Sequence, residues 1–282
     1  MFPTPIERRS LALQRLYKTA LPFAMILWLL PLIAVALTSV RSAGDITAGN
    51  YWGWPTSFNL VQNYSDIFTN TPLGNYMWNS VRVTIPTVIG TLALSCMSGF
   101  ALAVYKFKGN MLVFFMFVAG NFVPFQILMV PVRDLTLQMG IYNTITGLAL
   151  FHIAFQTGFC TLFMRNFIRS LPVELIEAAR VEGVKEWRIF WFIILPLMRP
   201  AIAALAVLIF TFIWNDYFWA TVLTQGAESQ PVTAGLYSLN GQWVAAWHLV
   251  SAGSIVAALP PVAIFFLLQK HFIAGLTLGA VK

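Results

Sequence analysis

The chain has 282 residues, of which 59% are hydrophobic, 15% are aromatic and only 10% are charged, against about 25% charged residues in an ordinary soluble domain. This composition excludes a disordered or nucleic-acid-binding chain despite the net charge of +7, and it disfavours a soluble protein, because too little polar surface is available to cover the core. A polytopic helical membrane protein remains, since the apolar runs are continuous rather than alternating as in a transmembrane barrel.

Six apolar runs are long enough to cross a bilayer as helices, which takes about 20 residues each. We call them spans 1 to 6, and the sequence predicts them at residues 21–40, 76–105, 111–132, 144–164, 200–224 and 250–269. An even number of spans puts both termini on the same side. The sequence therefore predicts an all-α, six-helix membrane protein with a short cytoplasmic N-terminus (residues 1–20) and a single transmembrane domain (residues 21–282).

The basic residues indicate which side faces the cytoplasm. All but three of the 17 lysines and arginines fall in residues 1–19, 106–110, 165–199 and 270–282. The three others are Arg41, Arg82 and Arg133. Cytoplasmic loops carry such an excess of positive charge, so we expect both termini in the cytoplasm and the chain in a bacterial inner membrane. This topology explains the pI of about 9.6 without an anionic partner.

The sequence lacks the common catalytic motifs. No Gly-Lys pair occurs, so the chain has no phosphate-binding loop of its own. His152, His248 and His271 are far apart in the sequence and are expected to be structural. Cys96 and Cys160 fall inside spans and are interpreted as small buried side chains, not as a disulfide or a metal site. An intramembrane enzyme would need a reactive cluster that this sequence does not offer.

Residues 165–199, here called the inner loop, are predicted to form two short amphipathic helices joined by a glycine turn. Pro172 can open the first helix, and Gly183 can end it in a left-handed conformation. The apolar stripe of this first helix is predicted at Leu171, Leu175, Ala178 and Ala179. Periodicity alone favours an element that rests on lipid, with a docking element for a cytoplasmic protein as the alternative.

The inner loop also carries a recognisable signature. Glu177-Ala178-Ala179, followed by Gly183 and then by Ile193-x-Leu195-Pro196, resembles the EAA motif of ABC-importer permease subunits. Trp214-Asn215-Asp216 is similar to an element of carbohydrate permeases, and residues 275–282 resemble the C-terminal tail of the second, maltose-type sugar permease.

The resemblance implies the type I importer fold and a permease subunit of an ATP-driven importer for a carbohydrate or a related polyol. It implies that the inner loop docks in a cleft of a separate ATPase, with Glu177 paired to an ATPase arginine and Gly183 as the turn. The residues it assigns to this coupling are Glu177, Ala178, Ala179, Gly183, Ile193, Leu195 and Pro196. The residues it assigns to a tail along the ATPase dimer interface are Gly279, Ala280, Val281 and Lys282.

The resemblance further implies partners. These are a homologous permease in a heterodimer, two ATPase subunits that use ATP and Mg²⁺, and a periplasmic substrate-binding protein. The chain itself would then be a transport subunit in the lipid bilayer, with no cofactor of its own, no catalytic residues and no nucleic-acid partner.

Polar residues in or near the spans are candidates for the translocation path: Asn79, Arg82, Gln126, Asn215 and Asp216. Asp216 is the only acid inside a predicted span, roughly 24 Å from Pro200 and thus near the outer end. An acid at such a position is costly and suggests a function. A capping or helix–helix hydrogen-bonding role is slightly favoured over direct contact with sugar.

A self-contained secondary transporter of a small polar solute is the alternative function. It would predict inverted repeats and charged residues at the membrane midplane. Only Asp216 comes near that requirement, and no repeat is visible in the sequence.

Overall fold

The structure is a computed structural model that describes residues 10–239 and 246–278, with side chains as far as Gln269. Every element within these ranges is helical, which confirms the all-α prediction. The α-helices are Leu11–Ser39, Ala43–Thr47, Leu60–Thr69, Leu73–Val104, Asn110–Gly120, Met129–Gln138, Ile145–Arg169, Glu174–Val181, Glu186–Arg188, Leu195–Leu197, Arg199–Trp214, Phe218–Leu223, Val232–Ser238 and Trp247–Leu278. Phe125–Leu128 is a 3₁₀-helix and Ile189–Ile194 a π-helix.

Four of these helices are long and apolar enough to cross a membrane: Leu11–Ser39, Leu73–Val104, Ile145–Arg169 and the part of the last helix from Trp247 to Gln269. They correspond to spans 1, 2, 4 and 6. Two further helix pairs pass the same test only when each pair is taken together. The described chain therefore has four to six spans, and the upper number agrees with the predicted six.

Span 3, predicted at residues 111–132, is broken in the structure and is not one straight helix. Asn110–Gly120 and Phe125–Gln138 are separate and stand at 91° to each other. Pro124 lies in the gap, where it offers no backbone N–H and biases the preceding residue away from helical geometry. The Asn121 side chain donates to the carbonyl of Phe117 at 2.8 Å, so it satisfies an acceptor at the end of the first helix.

The prediction of span 5 was wrong at its outer end. The helix is Arg199–Trp214, and Phe218–Leu223 forms a separate short helix after a break. On its other side, Glu186–Leu197 precedes it at a bend of 71°. Pro200, in the first turn after the bend, lacks the N–H that would continue a hydrogen-bond ladder across it.

Spans 2 and 4 pack closely and run in the same direction. Ser98 and Thr161 share a hydrogen bond of 2.7 Å between their hydroxyls. One residue further along, a Cβ on Gly99 would lie 2.8 Å from the Cβ of Met164, a distance that real side chains do not adopt. A small residue is required there because it lets the two backbones approach, as is common between membrane helices.

The described chain divides into two compact units, which we treat separately. The larger unit is formed by residues 72–238 with residues from 257 onward. The smaller unit is formed by the residues up to Thr71 with Leu239–Val256. Within the smaller unit, Asn63 donates to the carbonyls of Ser39 and Arg41, both at 2.8 Å, and Asp45 accepts from the backbone of Thr56 at 3.0 Å.

Candidate functional site

The inner loop opens with helix Glu174–Val181, here called the loop helix. Ile176 and Ala179 are buried on one face, whereas Glu177, Ala178 and Val181 are exposed on the other, with Val181 89% exposed. Of the predicted apolar stripe, Ala179 is buried, whereas Leu175, which is 43% exposed, and Ala178 lie at the surface of the chain. Ile176 and Ala179 are spaced at i and i+3, so they share the face that packs on the fold. The acid Glu177 and the apolar side chains of Ala178 and Val181 therefore point away from the fold.

Gly183 ends the loop helix in a left-handed conformation, with φ of +74°, which confirms that prediction. The Gly183 N–H donates to the backbone carbonyl of Arg180, and the Val184 N–H donates to the backbone carbonyl of Ala179, each at 3.0 Å. These bonds satisfy carbonyls in the last turn of the helix. No atom lies within 4 Å of a Cβ placed on Gly183. A side chain there would therefore be opposed by the backbone conformation, not by crowding.

The residues that follow Gly183 in the signature are packed inward. Ile189, Phe190 and Ile194 of the π-helix are buried, and the Phe190 ring lies 5.2 Å from the ring of Phe100 in span 2. Ile193, Leu195 and Pro196 are half-buried beside them. The signature therefore divides into an exposed part, formed by Glu177, Ala178 and Gly183, and a packed part, formed by the buried Ala179 and the half-buried Ile193, Leu195 and Pro196. π-helical turns are frequent at functional sites.

A three-residue clamp holds the loop helix to span 2, and it was not foreseen from the sequence. The Arg180 guanidinium donates two hydrogen bonds to the Glu186 carboxylate, at 2.7 and 3.1 Å. The Tyr105 hydroxyl, just beyond the end of span 2, donates to the same carboxylate at 2.9 Å. Hydrogen bonding to Glu186 raises the pKa of Arg180. The clamp spans the Gly183 turn and so fixes the angle between the two halves of the loop.

We expect Glu186→Gln to raise the rate of proteolytic cleavage within the inner loop by about fivefold, which corresponds to about 1 kcal/mol of loop ordering for a partly exposed pair. Tyr105→Phe should have a smaller effect in the same direction, because the two bonds from Arg180 remain. Glu228→Gln, an exposed acid outside the inner loop, is the matched control. Limited proteolysis of the purified protein checks this. An unchanged cleavage rate in both clamp variants would contradict the assigned role of the clamp.

Asp216 makes helix-capping contacts, as expected from the interpretation of this acid as a structural residue. Its carboxylate accepts from the backbone N–H groups of Trp219, at 3.4 Å, and Ala220, at 2.9 Å, at the start of helix Phe218–Leu223. His152 Nε2, from span 4, lies 3.3 Å from Asp216 Oδ2, and the imidazole is buried. This pair was not foreseen, because 63 residues lie between its two members in the chain.

The other path candidates lie on separate elements. Asn79 is buried in span 2 and donates its amide to the carbonyls of Ala227, at 3.0 Å, and Gln230, at 3.1 Å. Arg82 and Gln126 are exposed. Asn215 is exposed too and donates to the Thr211 carbonyl at 2.8 Å. The tail residues Gly279, Ala280, Val281 and Lys282 lie outside the described residues.

Arg165 is a further residue whose role was not foreseen from the sequence. It is buried near the end of span 4, where its Nε donates to the Leu102 carbonyl at 3.3 Å and its guanidinium lies 3.9 Å from the centre of the Phe114 ring. A buried cation needs such partners. This side chain therefore joins span 4 to the end of span 2 and to the first half of span 3.

The broken and continuous spans, with a structured loop of mixed charge between spans 4 and 5, define a multi-pass helical membrane protein of the transporter class. Residues 92–277 match the family described as "Binding-protein-dependent transport system inner membrane component", and the chain belongs to that family. It is thus a multi-pass inner-membrane permease subunit of an ABC transporter and not an enzyme, since ATP hydrolysis belongs to separate subunits.

Relatives of known description extend over most of the chain. It is 34% identical to the osmoprotective compounds uptake permease protein GgtD of Synechocystis sp., covering 91% of this chain and 88% of that protein. It is 35% identical to the arabinooligosaccharides transport system permease protein AraQ of Halalkalibacterium halodurans, and the match covers 89% of this chain and 90% of that protein. The crystal structure of a bacterial ABC transporter involved in the import of the acidic polysaccharide alginate contains a chain with the same fold. The TM-score is 0.79 at 21% sequence identity, and the match covers 96% of this chain and 99% of that chain.

Proposed function

We propose that this chain is the permease subunit of an ATP-driven importer for a carbohydrate or a related polyol, and that the inner loop couples it to the ATPase. The observation that carries the coupling role is the outward face of the loop helix, where Glu177 lies beside Ala178 and Val181 and the left-handed Gly183 follows. An acid beside small apolar groups suits a protein cleft better than a lipid surface. Once docking has removed water from the cleft, the acid can pair with a cation that is buried there.

The proposed partners are a homologous permease in a heterodimer, two ATPase subunits that use ATP and Mg²⁺, and a periplasmic binding protein. Glu177 pairs with an arginine of the ATPase, and the tail from Gly279 to Lys282 lies along the ATPase dimer interface. Relatives described as permeases for arabinooligosaccharides and for osmoprotective compounds support the class of solute.

The mechanism is alternating access. ATP binding closes the ATPase dimer, and the loop helix moves with it. The packed part of the signature transmits this motion to span 5 through Leu195–Leu197 and to span 2 through Phe190 and the clamp. The path between the two permeases then opens to the binding protein, and hydrolysis resets it. The solute path includes polar residues among Asn79, Arg82, Gln126, Asn215 and Asp216.

The test is copurification of the chain with an ATPase, followed by ATP hydrolysis in proteoliposomes with the cognate binding protein and a panel of lactose, maltose and arabinotriose. We expect at least one sugar to stimulate both hydrolysis and uptake. Uptake that follows an ion gradient without any ATPase would instead establish the secondary transporter, and no stimulation by any sugar would contradict the proposed solute class.

Topology gives a separate prediction. The charge distribution puts both ends in the cytoplasm, so alkaline phosphatase fused at residue 1 or residue 282 should be inactive, whereas green fluorescent protein at either end should fluoresce. A fusion within residues 41–59 serves as the control for the opposite side. Phosphatase activity at either end would contradict the proposed orientation.

A further inference from the structure

A cavity of about 320 Å³ lies where the break in span 3 meets spans 4 and 5. Phe155 and Phe159 from span 4 and Phe212 from span 5 form aromatic walls, and Leu205, Leu208 and Ile209 of span 5 complete the apolar lining. Asn121 contributes from the break, and Gln156 lines the cavity from span 4. All of these residues belong to the larger unit, so the cavity is defined within one compact part of the chain.

Gln156 is the unusual member of this set. Its side chain is only 9% exposed, and its Nε2 has no hydrogen-bond partner within the described chain. It lies near the middle of helix Ile145–Arg169, about 17 Å from the first residue. A buried amide without a partner costs about 1–3 kcal/mol. The missing partner is therefore expected from a molecule that enters the cavity.

Spans 3 and 4 approach each other closely at Gly158, two residues after Gln156. A Cβ on Gly158 would lie 2.8 Å from the Phe117 carbonyl oxygen and 3.1 Å from Asn121 Nδ2, so only glycine allows this approach of spans 3 and 4. Binding sites near the middle of transporters are commonly built on discontinuous helices, whose ends leave polar groups exposed. The exposed Asn121, at the end of Asn110–Gly120, is such a group.

The chemistry of the walls indicates the occupant. Aromatic rings offer flat apolar faces, and an amide can donate and accept hydrogen bonds at the same time. A sugar ring presents the complement of both, since its C–H groups form apolar faces and its hydroxyls form a polar rim. A lipid tail would fill the cavity but would leave the Gln156 amide without a partner.

We propose that this cavity is a carbohydrate-binding subsite of the translocation path, in which Gln156 Nε2 donates to a sugar hydroxyl and the phenylalanine rings pack against the sugar ring. The subsite rests on the proposed function as a sugar permease. It places a contact with solute on this subunit, at residues that none of the sequence motifs includes.

The first test measures water access. Gln156→Cys is made in a chain with Cys96→Ala and Cys160→Ala, assembled as the full transporter in proteoliposomes. We expect it to react with the membrane-impermeant reagent 2-sulfonatoethyl methanethiosulfonate. The reaction should slow at least several-fold with whichever of lactose, maltose or arabinotriose stimulates hydrolysis. Reaction with lipid-soluble N-ethylmaleimide alone, or with neither reagent, would overturn the subsite and indicate lipid or a closed interface with the homologous permease.

The second test measures coupling. Gln156→Leu should lower the sugar moved per ATP hydrolysed at least several-fold, with binding-protein-stimulated hydrolysis retained, and Gln156→Asn should restore part of the loss. Gln138→Leu, the same change at an exposed helix end, is the matched control. A merely structural role would reduce assembly and hydrolysis together and would count against the subsite. Stimulated hydrolysis in the unchanged transporter separates these outcomes from a failure of the proposed function.

Discussion

Glu177→Lys and Gly183→Asp should each reduce sugar uptake to the level of cells that lack the transporter. Replacing Glu177 by a cation puts like charges together in the ATPase cleft. Loss of a buried pair of this kind costs about 2–5 kcal/mol, or about 30- to 5,000-fold in docking affinity. In Gly183→Asp the left-handed backbone is disfavoured by about 1 kcal/mol, so the turn reorganises and the two halves of the loop lose their fixed angle.

Copurification with the ATPase and binding-protein-stimulated hydrolysis are the measurements that check this result. Two matched controls exist elsewhere in the chain. Gly140 has φ of +68° and open space around it, and Glu228 is an exposed acid. Gly140→Asp and Glu228→Lys repeat the same chemical changes outside the inner loop and should leave docking intact. Normal docking, hydrolysis and uptake in both inner-loop variants would mean that the loop only rests on lipid.

Asp216→Ala should lower the apparent melting temperature of the complex by about 5–10 °C. The substitution removes the cap of helix Phe218–Leu223, which is worth about 1 kcal/mol. It also removes the carboxylate oxygen that lies 3.3 Å from His152 Nε2, the nearest acid to this buried imidazole, and loss of a buried polar contact costs about 1–3 kcal/mol. Asp216→Asn keeps an oxygen that can accept the backbone bonds, so its melting temperature should fall by less than half as much.

Uptake by the same two variants separates the roles that the sequence left open. If Asp216 also contacts solute, Asp216→Asn changes uptake more than it changes stability. Asp134→Ala, an exposed acid in helix Met129–Gln138, is the control for loss of a carboxylate. Unchanged stability and uptake in both Asp216 variants would eliminate capping and solute contact together.

The spans were predictable because each consists of a long apolar run, whose length is set by the bilayer. Where a run is broken was not predictable, since the break in span 3 depends on Pro124 together with the bond from Asn121 to the Phe117 carbonyl. A hydropathy window averages over such local contacts. The face of the loop helix was misjudged for a related reason, as both Leu175 and Ile176 fit an apolar stripe and only tertiary packing chooses between them.

The functional residues divide in the same way. Glu177 and Gly183 belong to a motif that is local in the sequence, so the sequence alone was enough to propose them as functional residues. Glu186 was missed because its partner Tyr105 is 81 positions away, and His152 was missed because it faces Asp216 from another span. Gln156 resembles any other polar residue in a span until its burial and the missing hydrogen-bond partner of its amide are known.

The close packing of spans 2 and 4 has a mechanical consequence. Motion of the loop helix reaches span 5 through the continuous chain and reaches the end of span 2 through the Glu186 carboxylate. Spans 2 and 4 pack closely at Gly99, and Arg165 bonds to the end of span 2, so under the proposed coupling these helices would move together with span 5. Such stiffness would carry a displacement of the inner loop to the opposite end of the helices. A bulkier residue at position 99 would therefore separate spans 2 and 4. Part of the displacement would then be lost as bending of the helices, although the residues at both ends of these helices would be unchanged.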